Sequence, residues 1–151
     1  MTSRETWHAQ LTAEVCNANI QRHLDVILLS QSTINGVPTA KLEFTTTERH
    51  LVPSGSVHGG ISSLIIDSAC FLAVIPTLEA GQGTATVASS FQILGSVKGV
   101  GKRYEVEARM VKRGKNVVFC EGEVRYHGKL IAQGNLTKII TGGEEEGKSK
   151  L

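Results

Sequence analysis

His58-Gly59-Gly60-Ile61-Ser62-Ser63-Leu64-Ile65-Ile66-Asp67-Ser68-Ala69-Cys70-Phe71-Leu72-Ala73-Val74 is apolar nearly all round and carries one carboxylate, Asp67. A helix of that kind is covered on most sides and belongs at the centre of a fold. Pro76 and the glycines Gly81 and Gly83 end it. On either side the hydrophobic period changes from helical to alternating. Upstream, Ala40, Leu42 and Phe44 alternate with Lys41, Glu43 and Thr45, the mark of a half-buried strand. Val26-Ile27-Leu28-Leu29 begins an earlier strand, and Asn35-Gly36 is a hairpin signal between the two. Downstream, four strands are predicted near 84–96, 102–112, 116–127 and 129–140. Tyr104, Val106, Ala108 and Met110 alternate there with Glu105, Glu107 and Arg109. Lys112-Arg113-Gly114-Lys115-Asn116 and His127-Gly128-Lys129 read as hairpin turns. Residues 1–22 read as an N-terminal helix, with Thr2 and Glu5 at capping-box spacing and Trp7, Leu11 and Val15 on one face. The order predicts an α+β domain over 1–141, an antiparallel sheet wrapped around one long helix.

The chain has 151 residues, the size of one domain. Sixteen basic against fourteen acidic residues leave +2, far from the dense positive charge that a phosphate backbone requires, so no nucleic-acid partner is expected. Cys16, Cys70 and Cys120 are odd in number, widely spaced and free of any CxxC pair, so they indicate neither a disulfide framework nor a zinc site. Three buried thiols is the simpler reading. No metal site is expected. The N-terminal residues lack the basic-then-apolar run of a secretory signal. No apolar stretch approaches the ~20 residues of a membrane span, and no membrane insertion is expected.

Residues 142–151 read as a polar, flexible tail ending in Ser149-Lys150-Leu151, the tripeptide that the peroxisomal import receptor reads. The plain alternative is a solvated charged tail. A fluorescent fusion is expected to be punctate with Ser149, Lys150 and Leu151 intact and diffuse without them; a diffuse signal from both would discard the peroxisomal address.

The first backbone N–H groups of the central helix have no intrahelical partner, and the helix dipole places partial positive charge there. Glycines at Gly59 and Gly60 let a ligand approach that backbone closely. Such a helix mouth suits the carbonyl of an ester or thioester. A glycine entry serving packing alone is the competing reading. Gly60, Leu64, Asp67, Phe71 and Val74 share one helix face. A carboxylate in that stripe is costly unless it has a partner or a task. It is either hydrogen-bonded to a loop, or a general base or nucleophile. Asp67 lies eight residues beyond Gly59, about 12 Å along the axis at 1.5 Å per residue. One chain cannot bring the two together. A two-fold dimer can, with each site built from both chains.

His58-Gly59-Gly60-x6-Asp67 on a central helix followed by four strands resembles the hotdog-fold acyl-CoA thioesterases of the phenylacetyl-CoA thioesterase (PaaI-like) branch. Val111-Lys112-Arg113-Gly114-Lys115 and Gly128-Lys129-Leu130-Ile131-Ala132-Gln133-Gly134 add to the likeness, which spans roughly 20–140. The resemblance implies a hotdog fold and hydrolysis of acyl-CoA, with CoA as part of the substrate and no other cofactor. It implies a homodimer or homotetramer. It makes the Gly59 N–H the oxyanion donor, with Gly60 completing the turn and His58 beside the thioester. Asp67 becomes the base or nucleophile acting across subunits, and Thr86 the hydroxyl that helps place water. It puts Lys112, Arg113, Gly114, Lys115 and Asn116 against the CoA nucleotide, with Lys98 as a further contact. Basic side chains on a glycine turn independently suit phosphates, or form an ordinary solvated hairpin.

One departure stands out. Many members carry an Asn six residues before the His of the HGG motif, and here that position is Val52. His50 lies near enough in sequence to be a substitute. No GxSxG elbow surrounds a serine, and Gly99-Val100-Gly101 lacks the context of a dinucleotide site. Three alternatives stay open: a non-catalytic acyl-CoA binding protein, a hotdog thioesterase of polyketide or aryl metabolism, and a purely structural dimer module.

Overall fold

The computed structural model describes residues 3–143, so Ser149, Lys150 and Leu151 lie outside the described residues. The elements are α1 (Arg4–Cys16), α2 (Asn19–His23), β1 (Ile27–Ile34), β2 (Val37–Thr45), α3 (Gly59–Val74), β3 (Gln82–Ile93), β4 (Arg103–Arg113), β5 (Val117–Tyr126) and β6 (Lys129–Gly142). The six strands form one antiparallel sheet in the order β1-β2-β4-β5-β6-β3, with α3 packed against one face of it. This is the α+β hotdog arrangement expected from the sequence.

The N-terminal region departs from one helix over 1–22. Ser3 rather than Thr2 is the cap, its hydroxyl accepting from the Thr6 N–H at 3.1 Å. The Asn17 side chain donates to the Ala13 carbonyl at 2.8 Å and closes α1. Ala18 is extended, so α2 starts as a separate helix. The hairpins follow their sequence signals. Asn35 and Gly36 have φ of 51° and 79°, and His127 and Gly128 have 46° and 76°. Both pairs are two-residue turns of the type that matches strand twist. β6 continues to Gly142, which pairs with Gln82, so the strand runs two residues past its expected end.

The core lies between α3 and the sheet. Ile65, Ile66, Ala69, Leu72 and Ala73 are at most 1% exposed and face Leu42, Phe44, Val106 and Val124. Burying each large aliphatic side chain contributes about 1.5–3 kcal/mol. A cross-strand pair, Gly122 opposite Gly134, brings helix and sheet into close contact. A Cβ on Gly122 would lie 2.9 Å from Ile66 Cγ2, and one on Gly134 would lie 2.7 Å from Phe91 Cε1. Side chains of the helix and of β3 therefore occupy the space that a larger residue would take.

Helical structure continues through Pro76, making Gly59–Thr77 a 19-residue apolar stretch, longer than the sequence reading allowed. Pro76 lacks an N–H, but it stands in the first turn of a 3-10 extension, where that loss is tolerated. The inner face of this helix is taken up by the sheet. Its other face is open: Gly60 is exposed, and Leu64, Asp67 and Phe71 are half-buried. Beside that face runs the edge strand β3, on which Val87, Ile93 and the following Leu94 are exposed.

Candidate functional site

The mouth of α3 is built by the loop before it. His50, in a single 3-10 turn (Glu48–His50), is fully buried. Its Nδ1 accepts from the Thr47 N–H at 2.8 Å, and its ring meets Phe44 edge-on at 5.7 Å between centroids. Burial pushes its imidazole pKa down, which keeps the ring neutral. The His50 carbonyl accepts from the His58 N–H at 2.9 Å and so anchors the start of the helix. His50 is therefore a structural ligand of the loop and does not replace the missing Asn. Val52 offers only its backbone, donating to the Ser56 carbonyl and accepting from the Gly55 N–H.

His58 caps α3, its Nδ1 accepting from the Gly60 N–H at 2.9 Å. That bond assigns the ring proton to Nε2, which points a donor outward from an exposed side chain. The Gly59 N–H has no hydrogen-bond partner among the described residues. The Gly60 N–H is taken by His58, so the Gly59 N–H is the open, dipole-reinforced donor of the helix mouth. Lys98 is exposed at the same end, joined to Ser56 by an isolated antiparallel bridge.

Asp67, two helical turns further on, belongs to a second cluster. Thr86 donates its hydroxyl hydrogen to Asp67 Oδ1 at 2.7 Å. Thr86 stands at a β-bulge in β3, where the register against β6 shifts between Thr86 and Ala88. Such bulges re-aim a side chain. Lys138 of β6 donates from Nζ to Asp67 Oδ1 and to Thr86 Oγ1, both at 2.7 Å. The lysine side chain is 3% exposed and that of Asp67 is 45% exposed. Lys138 Nζ also lies 5.8 Å from the centre of the Phe71 ring. Sequence reasoning missed this lysine. The signal was present, because the inward column Ala132, Gly134, Leu136, Lys138, Ile140 places a charge where the period of two demands an apolar residue.

Behind this cluster Cys70 and Cys120 are buried free thiols, and Cys16 is a half-buried one. Contact with Cys120, then burial, pushes the Cys70 thiol well above its ordinary range, so it stays protonated. Among the described residues no three His, Cys, Asp or Glu side chains converge as metal ligands.

The β4–β5 turn sits at the Asp67 end of the molecule, since Val118 pairs with Lys138 and the Ile140 N–H donates to the Asn116 carbonyl at 3.0 Å. Lys112, Lys115 and Asn116 are exposed there. Arg113 instead folds over its own turn, donating from Nη1 to the carbonyls of Gly114 and Lys115, and Gly114 donates its N–H to Val117. The predicted residues therefore fall into two groups within one chain. His58, Gly59, Gly60 and Lys98 occupy one end, and Asp67, Thr86 and the 112–116 turn occupy the other.

The family model for the thioesterase superfamily matches residues 54–129, a span that holds both the helix mouth and Asp67. Acyl-coenzyme A thioesterase 13 of Mus musculus is 28% identical over 119 residues, covering 77% of this chain and 84% of the mouse protein. The Homo sapiens protein of the same name is 27% identical over 122 residues, covering 79% and 86%. Among solved structures, a phenylacetic acid degradation-related protein of Ralstonia eutropha superposes with a TM-score of 0.77 at 25% identity, covering 88% of this chain and 98% of the other. Zebrafish thioesterase superfamily member 2 superposes with a TM-score of 0.72 at 24% identity, covering 92% and 99%.

Proposed function

The chain belongs to the thioesterase superfamily, and from that premise we propose that it hydrolyses acyl-CoA thioesters at a site shared by two copies of itself. The observation that carries this reading is the division of the candidate groups. The unpartnered Gly59 N–H opens at the helix mouth and the Asp67–Thr86 pair opens two turns further along the same helix, too far apart for one chain to join them.

The β3 edge offers the means of joining them. Ile93 lies against Gly59, since a Cβ there would be 3.3 Å from Ile93 Cγ1, and Thr86 lies against Asp67. Two β3 strands pairing antiparallel about a two-fold axis at Ser90 would set Ser89 opposite Phe91 of the second copy. The Thr86–Val87 bulge would then fall opposite Ile93 of that copy, beside its Gly59. This register keeps inward residues opposite inward residues, as antiparallel pairing requires. It would also cover the exposed Val87 and Ile93.

In that site the Gly59 N–H polarises the thioester carbonyl and stabilises the oxyanion. Water donates one hydrogen to Asp67 Oδ2, and its oxygen bonds to the carbonyl carbon. The tetrahedral intermediate expels the CoA thiolate, which takes the proton from Asp67, leaving free acid and CoA. The Thr86 hydroxyl has given its hydrogen to Asp67, so it serves the water as an acceptor through its remaining lone pair. Lys112, Lys115 and Asn116 hold the CoA nucleotide, with Lys98 as a further contact. Arg113 shapes the turn.

Free-thiol release from a panel of fatty acyl-CoA, aryl-CoA and carrier-protein thioesters tests the reading. Turnover of CoA thioesters is the expected result. Val52 in place of an amide favours one rival, a protein that binds acyl-CoA without cleaving it. Ligand-induced thermal stabilisation with no turnover of any thioester would establish that rival instead. Turnover confined to carrier-protein substrates would move the enzyme into specialised metabolism.

A further inference from the structure

Lys138 is the charged side chain that the fold has least reason to keep. It stands between Leu136 and Ile140 on the inward column of β6, with Phe71 across from it. Removing an ammonium from water costs several kcal/mol, and an apolar residue of similar volume often serves stability as well or better. The pair it makes is lopsided, because Lys138 is 3% exposed and its anion is 45% exposed. Most of the desolvation therefore falls on the lysine, while the carboxylate remains open to solvent.

The hydrogen-bond directions state what the lysine accomplishes. An ammonium only donates, so Thr86 Oγ1 must accept from it, and the single Thr86 hydrogen is then committed to Asp67 Oδ1. Oδ1 receives two hydrogen bonds, from Lys138 and Thr86, and both are 2.7 Å long. Oδ2 receives none among the described residues. The two carboxylate oxygens, chemically equivalent in water, are made different.

We propose that Lys138 is a positioning residue for thioester hydrolysis. It locks Asp67 by one oxygen and turns the Thr86 hydroxyl, so that Oδ2 and one Thr86 lone pair together hold the attacking water. This inference rests on the assignment of Asp67 as the base. Without the lysine, the carboxylate can rotate and the Thr86 hydrogen can turn toward the water, which spoils the alignment. Misplacement of about 1 Å at a reacting group is enough for a loss of roughly 100-fold.

The test uses Lys138→Met and Lys138→Ala in the full chain, with Asp67→Asn as the control. Lys138→Met is expected to fold with a Tm equal to or above that of the parent. Its kcat should fall about 100-fold while KM changes less than about threefold. In Lys138→Ala, added methylammonium or ethylammonium should restore activity in a saturable manner, which tetramethylammonium should not do. A lysine that serves the fold alone would give a lower Tm in Lys138→Met and no amine rescue in Lys138→Ala, and that result would overturn the proposal. So would a Lys138→Met enzyme with the parent kcat beside an inactive Asp67→Asn. If Asp67→Asn itself retains the parent kcat, the base assignment fails and the proposal falls with it. Should Lys138→Met fail to fold, amine rescue of Lys138→Ala decides alone.

Discussion

Asp67→Asn is expected to lower kcat for acyl-CoA hydrolysis about a thousandfold, the scale of a lost general base. The amide keeps the shape of the carboxylate, and its carbonyl oxygen still accepts from Thr86 and Lys138 in place of Oδ1. What it loses is the ability to take a proton from water. The variant also leaves the buried Lys138 ammonium without its anion, a cost of about 1–3 kcal/mol after allowance for the half-open carboxylate. Activity must therefore be read well below the unfolding transition, as CoA thiol released per folded protein. The double variant Asp67→Asn/Lys138→Met separates the two effects, since it should regain stability and stay inactive. A single variant whose kcat stays within tenfold of the parent would end the assignment of Asp67 as base or nucleophile.

Gly59→Pro is the second large effect, and it strikes the N-terminus of the helix. Proline is favoured at the first helical position, and His58, with φ −61° and ψ 128°, already has the extended backbone that precedes a proline. The ring would press on Ile93 Cγ1, near which a Cβ would stand at 3.3 Å, a contact that a small side-chain shift relieves. The variant thus removes one N–H and little else, and kcat should fall about 100- to 1000-fold. Co-expression with Asp67→Asn under two affinity tags then decides the architecture. A heterodimer of two crippled chains holds one site with both defects and one with neither, so it should show about half the parent activity. Sites contained within single chains would leave every site defective. An inactive, correctly isolated heterodimer would overturn the shared site.

The elements that the sequence made legible were those defined by local periodicity. The apolar run from Gly59 to Val74 and the alternation around Tyr104 to Met110 follow from burial on one helix or one sheet face, and each recurs within a few residues. The break at Asn17-Ala18 was hidden because it depends on a side-chain bond back to Ala13, which competes with a helical pattern running on to Val15. The site divided in the same way. Asp67 announced itself as a carboxylate in an apolar stripe. Lys138 carried the same kind of signal on a strand, but its partners lie 71 and 52 residues away. Only the sheet order, with β6 beside β3 and over α3, brings them together. His50 misled for a related reason. Its nearness to Val52 in sequence suggested a replacement, whereas the 3-10 turn directs the ring into the core.

The glycine pair Gly122–Gly134 has a consequence for how long a substrate tail can be. Ile66 and Phe91 fill the space above those glycines, so an acyl group has no room to pass between helix and sheet at that point. The depression beneath the pair opens on the opposite, outer face and is lined by Glu107, Arg109, Glu121 and Glu123, a poor lodging for a hydrocarbon. An acyl group at the shared site would then lie along the seam between two helices, against the half-buried Leu64 and Phe71. Its measuring stick would then be the distance between two molecules, so chain-length preference would respond to changes in how the copies dock as readily as to changes in any pocket wall.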